Sequence, residues 1–503
     1  MRARQFHSKK KSRWLRFLLI LMCLVLAVLA VLTALIVWQL ETQNRPPREL
    51  APYLERRAEG HNRLITETTK VIATMLQHGD RMQAVSFPLP ELTLGAQKNP
   101  VDSSVSLPKR IVTVTSAEQL RVAMRDALPG DSIVIAPGRY QFSGASPAAN
   151  KAGTAETPII VRAEKLGAVK LDFILGEGFF VSAPYWQFEN LEIHGACPQA
   201  EFCEHAFHVV GDARHFVARN NIIVDFNAHF KINGEKGRFP DDGQITNNTL
   251  TNTEARRTDH SVTPIDLVAA SRWLIQKNIV TDFIKVGGDK ISYGLFAKGG
   301  GQENKLLQNI VICEHRLRNY AGQRVGLSLG GGGTGAAYCR DQHCITEQDR
   351  SMLAANLVMS CADDGIYLNK AAGSEVLHNT LIDTGGIEVR FPQSSANVWA
   401  NLVDGKIRER DDGILRPAQN KETSMTRLYL GLHPVRNLFR APQDFDFAWR
   451  SAPVFLSAEL NTPKNVVIDL CAPTSLATKS STEQKQKPTG AFADFAQCLS
   501  PSN

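Results

Sequence analysis

An asparagine standing directly before a short apolar run recurs along this chain in ENLEI, NNIIV, NNTLT, KNIVT, QNIVI, ANLVM, HNTLI and ANLVD, at Asn190, Asn221, Asn248, Asn278, Asn309, Asn356, Asn379 and Asn401. The intervals are 31, 27, 30, 31, 47, 23 and 22 residues. A recurrence of this length is the mark of a solenoid, in which each interval is one coil and stacked neighbours bury a continuous core. The runs are strand-sized, and no long helical pattern intervenes. A leucine-rich repeat would carry its own Leu/Asn consensus, and a propeller blade would need four strands over about 40 residues. The expected fold is therefore all-β: a right-handed, single-stranded parallel β-helix. Its asparagines occupy one corner, where each amide bonds to the next coil and to turn backbone.

The folded domain begins with IVTVTS and a short helix over about 117–127, with Ser116 and Gln119 in capping-box positions. A Pro129-Gly130-Asp131 turn then leads into the strand 132–136. The helix is expected to cap the open first coil against edge-to-edge association.

A second motif lies upstream of several ladder asparagines: Gly294–Lys298 (GLFAK), Gly326–Gly330 (GLSLG), Gly365–Asn369 (GIYLN) and Gly386–Arg390 (GIEVR). Pro264–Val268 (PIDLV) fits with proline first, and Phe230–Asn233 (FKIN) fits more loosely. Two-residue alternation sends Leu295/Ala297, Leu327/Leu329, Ile366/Leu368 and Ile387/Val389 inward. Two outward columns remain, one of Lys231, Asp266, Phe296, Ser328, Tyr367 and Glu388, the other of Asn233, Val268, Lys298, Gly330, Asn369 and Arg390. Coils about 4.8 Å apart gather these groups into a strip roughly 25 Å long. Charged groups alternating with aromatic rings suit an extended carbohydrate.

Each candidate also has a bland reading. Asp266 with Lys298, or Glu388 with Arg390, are equally well solvated ion pairs, and Asn369 a corner residue. Asp363-Asp364 before Gly365 reads as a turn, a calcium-binding carboxylate pair or an acid/base group. His260, His315, His343 and His378 show no metal spacing, and His378, preceding Asn379, reads as structural.

The formal charge of +7 does not call for a nucleic-acid partner. Seven of the 57 basic residues lie within residues 1–16, and the 50 that remain equal the 50 acidic residues. Residues 17–38 carry no charge over 22 positions, about 33 Å as a helix, enough to cross a bilayer. A cleaved signal peptide has a shorter apolar region, normally about 7 to 15 residues. The expected topology is a single-pass signal-anchor in the inner membrane, with a cytoplasmic N-terminus and a periplasmic or extracellular main domain.

The expected division is a basic tail (1–16), an anchor (17–38), a stalk and linker (39–108) with one amphipathic helix from about 49 to 78, the β-helix (109–460) and a C-terminal tail (461–503). The eight cysteines beyond the span suit an oxidising compartment as Cys197/Cys203, Cys339/Cys344 and Cys471/Cys498, with Cys313/Cys361 as the residual pair. A zinc site is the alternative, but no Cys-x-x-Cys pair occurs.

The stretch 117–140, AEQLRVAMRDALPGDSIVIAPGRY, resembles the cap and first strand of the right-handed β-helix proteins of the alginate lyase and chondroitinase B family. The resemblance runs to about residue 420. It implies cleavage of a uronate polymer by β-elimination: a base takes the C5 proton, calcium or arginine neutralises the carboxylate, and the glycosidic oxygen leaves with proton assistance. Lys298, in FAKGGGQENKLLQN, falls near the family's catalytic lysine. The family's two calcium-binding glutamates are replaced by Ile291 and Tyr293, and its Arg-His-Gly by LSLGGGG, with Arg318 and Arg324 out of register.

The site expected on these grounds is built around Lys298, Arg390 and Tyr367 as catalytic groups. Lys231, Asp266, Phe296, Ser328, Asn369 and Glu388 bind substrate, and Asp363 and Asp364 are the candidates for a possible calcium. Two other classes stand beside the lyase: a glycan-binding or envelope structural protein without chemistry, and a glycoside hydrolase. Asp266 and Glu388 stand four coils apart, about 19 Å, too far for a hydrolytic pair; Asp363 or Asp364 with Glu388 is closer.

Overall fold

The computed structural model describes residues 4–42, 45–98, 108–331, 333–455, 468–472 and 489–500. The linker around Pro100 and the division at 460/461 lie outside the described residues, as do residues 1–3 of the basic tail.

The repeat builds three long parallel sheets. A 12-stranded sheet runs from Arg110–Val114 to Ile414–Ala418, an 11-stranded sheet from Gly138–Phe142 to Lys421–Glu422, and a 10-stranded sheet from Ala148–Ala149 to Lys406–Arg410. Each coil contributes one strand to each in turn, as Leu274–Gln276, Ile279–Thr281 and Ile291–Lys298 do. The chain is a parallel β-helix.

The asparagine ladder is continuous. Asn278 donates through Nδ2 to Asn309 Oδ1 at 3.0 Å and to Ile245 O at 2.8 Å, while its backbone N–H reaches the same Oδ1 at 3.1 Å. This pattern links Asn221, Asn248, Asn278, Asn309, Asn356, Asn379 and Asn401, and it continues to Asn420. Asn190 departs from the expected place. It takes φ +60° and bonds Asn220, so it belongs to the left-handed corner one residue ahead of the ladder. Leu191 holds the ladder position there, and its N–H still reaches Asn221. Asparagine tolerates left-handed φ, which suits it to the position ahead of the ladder at Asn190, Asn220 and Asn247, whereas in the ladder itself the side-chain amide is required for its bonds to the neighbouring coils.

The N-terminal edge is covered by the helix Ala117–Arg125, whose Leu120 and Met124 are buried. Ser116 Oγ accepts from Gln119 N at 3.1 Å, and Gln119 reaches back to Thr115 N at 2.7 Å. Inside, rings stack along the axis, Phe179 on Phe207 and Phe207 on Phe230, with centroids 5.2 Å apart in both pairs.

In its later coils the 11-stranded sheet is apolar on both faces. Its outward Ile310, Ile312, Leu357 and Met359 pack under a cover formed by Met82, Leu92, Phe439, Phe447, Phe492 and Phe495. The cysteines pair as Cys197–Cys203, Cys313–Cys361, Cys339–Cys344 and Cys471–Cys498, the last tying this cover together. Cys23 is free.

The helix Arg4–Thr42 contains the stretch Trp14–Thr42, long and apolar enough to cross a membrane, a property a signal sequence shares. The single helix expected over 49–78 is two, Pro47–Ala58 and Arg63–Asp80. Gly60, at φ +82°, ends the first, and Asn62 caps the second by accepting from Ile65 N at 3.0 Å. These helices lie against the last coils. Arg48 is buried there, its Nε 2.7 Å from Asp80 Oδ2, its Nη2 3.1 Å from Asp383 Oδ1 and its Nη1 donating to Cys361 O at 2.9 Å.

Candidate functional site

The 10-stranded sheet carries the outward columns in the register its sequence pattern implies. Lys231, Asp266, Phe296, Ser328, Tyr367 and Glu388 are successive cross-strand partners. So are Asn233, Val268 and Lys298, and then Asn369 and Arg390. The first column also extends beyond its expected ends, to Phe180 and His208 on one side and Arg408 on the other.

Within this strip the groups fall into separate clusters. Lys231 Nζ lies 2.5 Å from Asp266 Oδ2, and Lys298 Nζ lies 3.3 Å from Asp266 Oδ1. The Lys298 ammonium also sits 4.2 Å from the Phe296 ring centroid, and that ring stacks on Tyr293 at 4.3 Å. Burial alone would push the Asp266 carboxyl up, but Lys298 and then Lys231 overcome it and hold the group down at about 2. The stabilisation linked to this shift, on the order of 2 kcal/mol, is complete above the unfolded carboxylate range near 4 and is lost as pH falls through about 2.

Tyr367 forms the centre of a second cluster. Its hydroxyl oxygen accepts from Asn369 Nδ2 at 3.0 Å and faces Arg390 Nη1 at 3.4 Å, and Arg390 Nε holds Asp411 at 2.5 Å. Burial raises the Tyr367 pKa, so the phenol keeps its proton. With two donors aimed at the oxygen, that hydrogen is left to serve an acceptor on the outer face of the sheet.

The expected catalytic trio is thus divided. The strand of Lys298 and the strand of Tyr367 are two positions apart in the sheet, about 10 Å, with Ser328 between them. Phe296 is largely covered by the loop after Leu329, because Gly331 crosses the ring so closely that a Cβ there would overlap it. Ser328 is fully buried, donating to Gly330 O at 3.2 Å, and offers nothing to a ligand.

Glu388 is also removed from the groove. It is buried and held 3.0 Å from both Arg408 Nε and Arg410 Nη1. Arg408 further binds Glu49 at 2.5 Å and Asp364 at 2.9 Å. Burial raises the pKa of Glu49, Asp363 and Asp364 despite Arg408. The Asp363-Asp364 pair faces the N-terminal segment, where Glu49 joins the two aspartates in a cluster whose carboxylate oxygens lie within 4.8 Å of one another, with Arg408 against Glu49 and Asp364. Of the carboxylates considered for hydrolysis, Asp266, Glu388 and Asp364 are each engaged by Lys or Arg. Arg324 and Arg318 are spent elsewhere, on Glu314 at 2.7 Å and on Met82 O at 2.9 Å.

Sequence reasoning passed over one cluster. Glu177, His205 and His208 lie at the N-terminal end of the same sheet and bring one donor atom each within 4.8 Å of the others. Burial, then His208 and Lys231, lower the His205 pKa to about 3, so its imidazole is neutral. The readable signal was HAFH: His208 falls in register with Lys231 once that strand is aligned.

Among solved structures, the chain is similar to a pectate lyase, at 16% identity over 66% of this chain and 79% of that one, with a TM-score of 0.44. It is also similar to an alginate lyase from a Paenibacillus species (15%, 62% and 95%, 0.37) and to a rhamnogalacturonan lyase (13%, 59% and 80%, 0.40). No family model and no curated protein matches the chain.

Proposed function

We propose that this is a membrane-anchored, polysaccharide-active protein of lyase type, acting on a uronate-containing glycan by β-elimination. The observation carrying this reading is the convergence of Lys231 and Lys298 on one buried carboxylate, Asp266, in an outward column bordered by Tyr293, Phe296 and Tyr367. Two cations share one anion, which leaves positive charge for a sugar carboxylate. In the proposed step Lys298 first gives up its ammonium proton to solvent and, as the neutral amine, takes the C5 proton, while Lys231 faces the carboxylate on which charge develops. The C5–H electrons form the C4–C5 double bond, the C4–O bond breaks, and the leaving oxygen takes a proton from solvent. Tyr367, Asn369 and Arg390, about 10 Å further along, hold the continuing chain.

The pectate lyase, the alginate lyase and the rhamnogalacturonan lyase to which the chain is similar are enzymes of polysaccharides, the substrate class proposed here. Incubating the purified full chain with pectate, alginate and chondroitin should release an unsaturated product, read as ultraviolet absorbance from at least one polymer. Binding without product would establish the second reading, a non-catalytic glycan receptor, which the separation of Lys298 from Tyr367 favours.

The proposed topology places the first 16 residues in the cytoplasm and the β-helix beyond the inner membrane, motivated by the seven basic residues before the span. Protease added to spheroplasts should remove the β-helix and spare an epitope fused to the N-terminus. A β-helix found soluble, with a new N-terminus near residue 31, would instead mark a cleaved leader.

A further inference from the structure

Glu177, His205 and His208 sit on the adjacent strands Glu177–Val181 and His205–Val210, with His205 paired to Glu177 in the ladder. Hydrogen bonding settles which nitrogens carry protons. Asn233 Nδ2 donates to Gly234 O, so its Oδ1 is the atom 2.9 Å from His208 Nε2, and Nε2 must be the donor. His208 Nδ1 faces Glu177 Oε1 at 2.6 Å, a separation bridged by a single proton. A cation can take that proton's place, with the imidazole already oriented by its outer nitrogen.

The second imidazole is built differently. His205 Nδ1 is buried and has no protein hydrogen-bond partner, while Nε2 lies 3.9 Å from Glu204 Oε2. A buried ring nitrogen without a partner is costly, and a coordinate bond relieves that cost. The two rings are 5.2 Å apart and inclined by 51°, so they do not stack. Lys231, the charged neighbour on the next strand, directs its ammonium to Asp266, 2.5 Å away.

We propose that Glu177, His205 and His208 form a binding site for a divalent transition-metal ion of the zinc class, set in the groove one strand from Lys231. Two imidazole nitrogens and one carboxylate favour such an ion over calcium or magnesium, which take all-oxygen shells. Three protein ligands leave a further coordination position for a groove ligand. This assignment does not depend on the lyase reading.

The full chain, purified in detergent through a histidine-free tag and stripped with chelator, is titrated with cobalt(II) and then with zinc(II) in competition. Visible bands of a low-coordinate cobalt site should saturate near one equivalent, and zinc should abolish them. His205→Gln and His208→Gln should each weaken binding about tenfold or more, with metal-free melting temperatures unchanged. Asn233→Ala, acting only through His208 Nε2, should weaken it by a smaller factor. If either histidine change lowers the metal-free melting temperature, the near-isosteric Glu177→Gln protein replaces it and should show the same loss. Equal cobalt affinity in these proteins and the parent would overturn the assignment, as would saturation by calcium without cobalt bands or no stoichiometric binding at micromolar metal.

Discussion

Under the proposed β-elimination, the Lys298→Ala protein is expected to cleave a uronate polymer about 100-fold to 10,000-fold more slowly than the parent, with little change in ground-state binding, because a proton-transfer group acts mainly at the transition state. The fold should survive. Lys231 remains 2.5 Å from Asp266 after the change, so no buried carboxylate loses all its partners. Lys298→Arg separates two roles: it preserves a cation for Asp266 and Phe296 but introduces a group that stays protonated at any working pH. Turnover should therefore be lost in both proteins, while Lys298→Arg retains parental binding. Parental turnover in either would eliminate Lys298 as the base.

The largest expected loss of stability follows Arg48→Ala. The guanidinium is 1% exposed and serves Asp80, Asp383 and the Cys361 carbonyl together. Removing one partner of a buried ion pair typically costs about 3–5 kcal/mol, because the remaining charge has neither water nor counter-ion. Arg81 and Arg436 lie 3.5 and 3.8 Å from Asp383 and retain part of its compensation, whereas Asp80 loses its closest ion-pair partner. Arg48→Lys should recover only part of the loss, since one ammonium cannot span three acceptors in fork geometry. Chemical denaturation of the full chain in detergent measures this, and a decrease below about 1 kcal/mol would show that the segment contributes little.

The strand register was legible because period-2 alternation and the asparagine corner act locally in every coil, which was enough to align Lys231 with Glu388 across more than 150 residues. Alternation reveals which side a residue takes, not what covers that side. Ser328 and Phe296 were read as groove residues, yet the Gly330–Gly331 crossing lies over them, and Glu388 is closed off by arginines from the following strand. Asn190 was misplaced by one residue because left-handed turns and the ladder favour the same side chain, and only the Asn220-Asn221 and Asn247-Asn248 pairs reveal two corner positions. His205 and Glu177 escaped notice since their strands lack the glycine-led template. Arg48 and Glu49 escaped for a different reason: no periodicity foretells that a segment will dock on coils more than 300 residues away.

That docking determines where the chain can be cut without harm. Glu41 accepts the Met425 and Thr426 amides, Tyr429 donates to Arg45 O, and Arg48 and Glu49 enter the last coils directly behind them. A protease acting at residues 43–45 would liberate a body that keeps its buried arginine and its terminal plug. Cleavage after Asp80 would instead pull Arg48 away from Asp383 and Glu49 away from Arg408, opening the final coils. The two N-terminal helices thus work as a stopper belonging to the solenoid, and a cut at the wrong place amounts to uncorking it.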